Sequence, residues 1–281
     1  MDLIETLYAG AVPYLWSWSF AFIFMTVVEM LVPRGRQPLR TRLPGLAFWA
    51  IWLPVSALVQ AGFTRLWVAA GIEPLLTLPL GFHWTGAAAL VLAPIAAAIL
   101  YDFFFYWCHR FQHRFLWRFH AVHHSIRDLN SVNAYHHITE PLIQTVLILI
   151  PASLIVSEAG ATSAVVTVFL YLHGAFIHSP TRYHLGAGRL GLVDNRFHRI
   201  HHSLEPRHFD TNFGAFTTLW DRVFGTAHFP AAEEWPDCGI AEAGPPRTVG
   251  EWLAFPYRLG RDPAADRAAG NESSALEPQP R

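Results

Sequence analysis

The sequence predicts an all-α integral membrane protein with about three transmembrane helices, a helical hairpin and a helical cap rich in histidine. Three observations lead to this fold class. The chain of 281 residues is 52% hydrophobic and only 15% charged, a charged share well below that of soluble domains. It contains apolar runs long enough to cross a bilayer. Seven of its 16 histidines lie between Tyr101 and His137, where one of those runs ends.

The apolar runs set the order of the membrane elements. Three of them are as long as a helix must be to cross the hydrocarbon core. Two further apolar segments are separated only by residues 158–160, which predicts a helical hairpin that enters and leaves on one side; each arm is short for a full crossing. The predicted spans are 11–32, 45–63 and 86–107, and the hairpin arms are 141–157 and 161–178.

Composition divides the chain into three parts. Residues 1–85 contain N-terminal transmembrane helices and loops, and residues 86–230 contain the histidine-rich domain. Residues 231–281 form a C-terminal tail, which is rich in Ala, Glu and Pro from about residue 262 and is predicted to be disordered from there.

The distribution of positive charge predicts the orientation. All 20 basic residues are arginines, and every one except Arg65 falls on the same side of the predicted spans. The positive-inside rule therefore places the cap and all histidine patterns in the cytoplasm. The formal net charge of −1 gives no indication of nucleic-acid binding.

Three histidine patterns predict a metal centre in this cap. His109 and His113 are four residues apart, and the pattern H-x-x-H-H occurs twice. Histidines three and four residues apart share a helix face, and neutral imidazole is the commonest metal ligand. A single such pair is usually structural or solvated, whereas three patterns on one membrane face favour metal ligation. The two H-x-x-H-H patterns are His120, His123, His124 and His198, His201, His202.

Helix geometry leaves two possibilities for the first two patterns: either the chain bends between them, or their histidines serve different sites. On one continuous helix, His109 and His124 would be about 22 Å apart, at ~1.5 Å per residue. The ions of a two-metal site are typically about 3.5–4 Å apart. We therefore predict a bend between Arg114 and Phe119, so that two helices converge, and the third pattern must fold back over them.

Further residues are candidates for the same centre. His137, His173 and His178 are candidate ligands, and His136 has either a ligand or a core role. Polar side chains near the clusters either orient a histidine N–H group or, if acidic, pair with a nearby arginine. These candidates for the surrounding shell are Asp102, Tyr106, Glu140, Asp194 and Asp210.

The ligand set also limits the choice of metal. The sequence has no H-E-x-x-H motif and only two cysteines, which argues against a zinc-protease site, a structural cysteine site and an iron–sulfur cluster. Imidazole suits Fe, Zn, Cu and Ni alike. Two redox-active ions fit this many neutral ligands best.

These motifs resemble those of the fatty acid hydroxylase / sterol desaturase superfamily of membrane non-haem di-iron enzymes. The first box is DFFFYWCHRFQH (Asp102–His113), the second is FHAVHHS (Phe119–Ser125), and the third is FHRIHHS (Phe197–Ser203). His137 with Glu140 is similar to a middle element of the family. The closing segment 210–226, ending in WDRVFGT, resembles the branch that includes alkylglycerol monooxygenase-like proteins.

The resemblance implies both an activity and a ligand set. It implies an enzyme of the bacterial inner membrane that uses two iron ions and O2 to hydroxylate or desaturate a C–H bond of a fatty acyl, alkyl or sterol-like lipid. Electrons would come from NAD(P)H through a separate donor, either a cytochrome b5-like protein or a ferredoxin with its reductase. By matching position, the three boxes supply eight ligands, and His137 with one or both of His173 and His178 completes the set.

The alternative is a non-redox metal-binding membrane protein for transport or storage. A transporter should carry ionisable residues at mid-bilayer in several spans. The three predicted spans contain almost none, which favours the enzyme.

Overall fold

A computed structural model of the chain describes residues 3–35, 38–78, 87–157 and 164–260. The predicted hairpin turn at 158–160 and the tail predicted to be disordered from about 262 lie outside these ranges. Within them the fold is helical apart from two three-residue strands. The helices are α1 (Leu3–Leu31), α2 (Leu43–Ala69), α3 (Ala87–Phe115), α4 (Trp117–His124), α5 (Glu140–Gln144), α6 (Ile150–Ser153), α7 (Ala164–Ile177), α8 (Asn195–His201), α9 (Leu219–Val223) and α10 (Val249–Arg258).

Two long helices carry the surface expected of a membrane protein. Among the described residues, Tyr14–Leu31 and Leu39–Ala69 are long and apolar enough to cross a bilayer. In the apolar 18-residue stretch of each, only 22% and 28% of the residues are buried within the protein. Ile23 and Leu66 are 68% and 74% exposed. The core helix of a soluble protein would bury such side chains, so these helices fit a lipid environment. The count of three spans plus a hairpin stays a prediction.

The first arm of the predicted hairpin is only partly helical. A π-helical stretch, Thr145–Leu149, joins α5 to α6. The strand β2 (Ile155–Ser157) follows and pairs in parallel with β1 (Leu76–Leu78). The prediction of an uninterrupted helical arm to residue 157 is therefore wrong at its end. β-branched Ile155 and Val156 favour extended backbone, and the pairing satisfies their backbone groups.

The ends of α1 and α7 lie at the same level. Pro33 lies opposite Thr181 in an isolated antiparallel bridge. The backbone N–H of Arg34 donates to the carbonyl of Pro180 at 2.8 Å, and that of Arg182 donates to Val32 at 3.0 Å. The two helices therefore leave the apolar region together, on the side that carries the histidines.

A buried ion pair joins the α1–α2 connection to the loop after α4. The Arg42 guanidinium lies 2.6 Å from the Glu29 carboxylate, and both side chains are buried. Glu29 also accepts from the backbone N–H of Ser131 at 2.8 Å, and Arg42 donates to the side chain of Asn130 at 2.9 Å. This network fixes the loop that leads to His136.

Residues 231–260, which the sequence predicts as a tail, pack onto the protein. Trp252 of α10 is fully buried in the main core. Its ring stacks on Phe48 of α2 at 5.0 Å, and Phe48 contacts Tyr135. Trp252 Nε1 donates to the carbonyl of His136 at 3.0 Å. The helix α10 therefore supports the same loop from the other side.

Candidate metal centre

The bend between the first two histidine patterns is confirmed. Helix α3 ends at Phe115 and α4 begins at Trp117, with Leu116 outside helical geometry at φ −120° and ψ 23°. The turn places the Nε2 atoms of His109 and His120 2.9 Å apart. Those of His113 and His124 are 3.2 Å apart.

Helix α8 brings the third pattern onto the first two. Asp194 caps this helix by accepting hydrogen bonds from the backbone N–H groups of Arg196 and Phe197, at 3.2 and 2.9 Å. The ring of His201 then lies 4.3 Å from that of His109, between centroids. The ring of His202 lies 4.5 Å from that of His123.

The histidines form two buried groups, and each H-x-x-H-H helix contributes to both. From α4, His120 and His124 enter the first group and His123 the second. From α8, His201 enters the first group, and His198 and His202 enter the second. Within each group the candidate ligand atoms lie within 4.8 Å of one another. The first histidine group is His109, His113, His120, His124 and His201, and the second is His123, His178, His198 and His202.

Backbone carbonyls orient several of these rings. His109 Nδ1 lies 2.8 Å from the carbonyl oxygen of Phe213, and His201 Nδ1 lies 2.7 Å from that of Thr211. In the second group, the Nδ1 atom of His123 lies 3.3 Å from the carbonyl of Tyr135. A carbonyl only accepts, so each of these Nδ1 atoms carries the proton, and Nε2 presents a lone pair when the ring is neutral.

The Nε2 atoms of His123 and His178 face each other without a proton to share. His178 Nδ1 donates to the carbonyl of Gly174 at 2.8 Å, so its Nε2 is also unprotonated in the neutral ring. This Nε2 lies 3.3 Å from the equally unprotonated Nε2 of His123 and 3.0 Å from that of His198. Two lone pairs at this distance repel unless a cation lies between them. The donor set of the second group therefore fits a metal ion. The first group fits one as well, because the buried Nε2 of His201 has no hydrogen-bond partner among the described residues.

Burial keeps these imidazoles in the form that binds metal. It lowers the pKa values of His120, His124 and His202 well below the usual range, and neighbouring histidines lower them further. The rings are neutral at physiological pH, and metal binding requires neutral imidazole.

Among the predicted shell residues, only Asp210 hydrogen-bonds a histidine of either group. Its carboxylate lies 3.2 Å from His113 Nδ1, and its side chain is 77% exposed. Asp102 instead accepts from the backbone N–H groups of residues 215–217, at 2.9 to 3.0 Å. It therefore anchors the closing segment on α3.

The other three candidates also form contacts that stabilise the surrounding fold. The Tyr106 hydroxyl lies 3.0 Å from that of Thr226. Glu140 accepts from the side chains of Gln112 and Gln144, at 2.7 and 3.0 Å. Asp194 caps α8. We predicted that these side chains would orient the histidine rings. Backbone carbonyls of the surrounding loops orient several of the rings instead.

Two predicted ligands lie outside both groups. His137 Nδ1 lies 2.9 Å from the Thr139 hydroxyl, and its Nε2 lies 3.3 Å from the carbonyl of Leu253. His173 packs against the rings of Phe216 and Phe169, with centroids 5.3 and 6.0 Å away. We leave both residues out of the ligand set, because their rings are occupied by the loop and by apolar side chains.

Two residues have a larger role than the sequence indicated. The ring of His136 stacks on that of His123 at 3.9 Å, beside the second group. Asp221 accepts from the backbone N–H groups of Phe213 and Gly214, both at 2.8 Å, and thereby fixes the carbonyl that orients His109. The only sequence signal for Asp221 was its place in the closing WDRVFGT segment.

A third group of potential ligands is already satisfied by the protein. It consists of His208, His228 and Glu234. The Glu234 carboxylate accepts from Arg207 at 2.7 Å and from the backbone N–H of Ala231 at 2.8 Å, and it lies 3.1 Å from His208 Nε2. Because these partners neutralise it, we assign no metal there.

Comparison with known families identifies the domain that carries the two groups. Residues 94–226 match the family model for fatty acid hydroxylases. The chain therefore contains a fatty acid hydroxylase domain over these residues. The matched range contains every histidine of both groups, the α3–α4 bend and Asp221. Helices α1, α2 and α10 lie outside it.

Curated relatives agree with this hydroxylase domain. The chain is 31% identical over 195 residues to ornithine lipid hydroxylase OlsE of Rhizobium tropici, covering 66% of this chain and 56% of the relative. It is 32% identical over 127 residues to alkylglycerol monooxygenase of Danio rerio, covering 44% and 28%. It is 26% identical over 223 residues to the Homo sapiens enzyme of that name, covering 73% and 46%. The chain thus spans about half the length or less of these relatives. No solved structure matches it significantly.

Proposed function

We propose that this chain is a membrane-bound oxidoreductase that uses O2 to hydroxylate a C–H bond of a lipid. The observation that carries the proposal is the pair of buried histidine groups whose Nε2 lone pairs converge. The relatives support hydroxylation rather than desaturation, since they are named as a lipid hydroxylase and as monooxygenases. A sterol-like substrate has no such support among them.

The proposed cofactor is one iron ion in each histidine group. The bound iron pair would supply the activation of O2 and the oxidation of the C–H bond. Conversion of C–H to C–OH by one O2 yields one water and requires two electrons and two protons. We propose NAD(P)H as their source, through a separate cytochrome b5-like or ferredoxin-type donor.

The chain's own residues hold and shield this site. Carbonyls of the closing segment and the loop after α4 fix the ring planes, as described for His109, His201 and His123. Seven of the nine histidines are buried and the other two are partly buried, which restricts the access of bulk water to the reacting centre. The apolar surface of α1 and α2 keeps the protein in the bilayer, where a lipid substrate is concentrated.

Orientation and location follow from the arginine distribution. We propose an integral protein of the bacterial inner membrane with both histidine groups facing the cytoplasm. Soluble electron donors and nicotinamide cofactors are then available on the same side.

The test combines metal content with oxygen consumption. The full chain is purified in detergent, loaded with iron, and assayed with a reductase system and a mixture of ornithine lipids and alkylglycerols. We expect two irons per chain and O2 uptake coupled to a hydroxylated lipid. His120→Ala and His201→Ala should lose both iron and activity, whereas His228→Gln, outside both groups, should keep them.

The rival function gives a different result. A metal-storage or transport protein would bind zinc or iron tightly but consume no O2 with any lipid and donor supplied. Tight metal binding with no oxidised lipid, in membranes that contain the native donor, would refute the oxygenase proposal.

A further inference from the structure

A cleft rich in positive charge lies at the membrane-side edge of the cap. It encloses about 420 Å³ and is lined by Arg34, Arg182, His184, Arg196 and the segment 232–233. We name it the arginine cleft. Arg34 follows the end of α1 and Arg182 follows the end of α7, and the two segments are joined by the hydrogen bonds between 32–34 and 180–182. The cleft therefore opens where the membrane helices end.

The charges in the arginine cleft are poorly balanced. Three arginines and a histidine line it, and Glu233 is the one acidic side chain among its described lining residues. The nearby carboxylate of Asp194 is already occupied, because it caps α8 and lies 3.2 Å from the Arg189 guanidinium. An excess of fixed positive charge around one concave space favours an anionic ligand.

Arg196 provides a second and independent observation. Its side chain is only 6% exposed, and its Nε atom has no hydrogen-bond partner among the described residues. One terminal nitrogen donates to the carbonyls of Ala231 and Ala232. Burial lowers the pKa of Arg196, and the positive charges of Arg189 and Arg34 lower it further. A buried cation with a free donor beside other cations is stabilised by an anion.

The ring of Trp235 restrains Arg34 of the cleft. The Arg34 guanidinium lies over the ring of Trp235 at 4.5 Å, and Arg199 lies over the same ring at 4.4 Å. Arg199 Nε also donates to the carbonyl of Pro236 at 2.7 Å. The cation–π contacts limit the motion of the long Arg34 side chain, so less conformational entropy is lost when it binds a ligand.

We propose that the arginine cleft binds a phosphate group at the membrane surface. The guanidinium fork matches phosphate oxygens with two parallel hydrogen bonds, which an ammonium group does not provide. Such a phosphate belongs either to the headgroup of an anionic phospholipid or to free inorganic phosphate. The inference does not rest on the proposed hydroxylase activity, since no histidine of either group lines the cleft.

Isothermal titration calorimetry on the full chain in a phosphate-free maltoside detergent tests the proposal. Three probes separate the sources: dihexanoyl-phosphatidylglycerol, inorganic phosphate, and dihexanoylglycerol, which lacks the phosphate. Arg34→Gln and Arg182→Gln remove cleft charges at positions that are not fully buried. Arg40→Gln removes an exposed charge from the same α1–α2 connection, outside the cleft, and is the matched control.

We expect a phosphate-bearing probe to bind, and each cleft variant to weaken it at least tenfold, with the Arg40 variant within twofold of the unchanged protein. Binding of phosphatidylglycerol alone identifies the lipid headgroup as the source, and equal binding of inorganic phosphate identifies the free anion. If neither phosphate probe binds, the proposal is overturned. So would equal binding of dihexanoylglycerol, or an equal loss in the Arg40 control.

Discussion

The Glu29–Arg42 ion pair gives the sharpest stability prediction. Replacing Glu29 by Ala leaves the buried Arg42 guanidinium without its counter-ion, which was 2.6 Å away. It also removes the acceptor of the Ser131 N–H. Removing one partner of a buried pair costs about 3–5 kcal/mol, and an unsatisfied buried N–H costs about 1–3 kcal/mol. The two effects overlap, so we expect a loss of about 4 kcal/mol in the free energy of unfolding.

The assay is a double-mutant comparison. Unfolding of the purified protein is followed by tryptophan fluorescence during titration with SDS. Glu29→Ala and Arg42→Ala should each be strongly destabilising, whereas Glu29→Leu with Arg42→Met should lose much less, because no unpaired charge stays buried. Exposed Glu73→Ala is the control for loss of a carboxylate. A single-variant loss below about 1 kcal/mol would refute the reasoning, because an exposed pair costs no more than that.

Three further predictions concern the metal centre and its supports. Asp221→Asn should weaken iron binding about 10- to 100-fold, as loss of an outer-shell partner typically does, because it frees the carbonyl that orients His109. Competition with a chelator measures the iron affinity, and an unchanged affinity would contradict this prediction. Burial lowers the pKa of His136 to about 4, and its neighbours are shifted in the same direction. Since protons and the metal compete for the same neutral imidazoles, dialysed protein should keep its iron at pH 6 and release it only at lower pH, whereas release centred on the ordinary histidine pKa would contradict the burial. A Cβ on Gly45 would lie 2.5 Å from a side-chain oxygen of the loop after α4. Gly45→Ala should therefore cost about 1–3 kcal/mol, as overpacking does, while Gly62→Ala in the same helix meets nothing within 4 Å and should be neutral in the same SDS titration.

The sequence predicted features that depend on local spacing. The rise of a helix led us to predict the α3–α4 bend, because His109 and His124 could not serve one site from a single continuous helix. The same spacing predicted that the two H-x-x-H-H helices come together. Apolar length predicted the long helices α1 and α2. Each of these inferences uses a distance along one segment of the chain.

The features that the sequence did not reveal depend on contacts between distant segments. His136 and His137 are adjacent in sequence, yet only His136 stacks on a ring of the second histidine group, that of His123. The ring of His137 instead contacts Trp252 and the carbonyl of Leu253. Carbonyls carry no side-chain signal, so the orientation of His109 by Phe213 could not be predicted. The pairing of β1 with β2 likewise joins residues about eighty positions apart.

The crossed use of α4 and α8 has a consequence for how the centre is assembled. Because each helix delivers ligands to both groups, no rigid-body shift of either helix can adjust one group and leave the other unchanged. If each group binds an ion as proposed, the first ion would preorganise the neighbouring group, and we expect the half-loaded state to be disfavoured against the empty and full states. The centre should fill in an all-or-none manner, which would protect the chain from the incomplete oxidation chemistry of a lone redox ion.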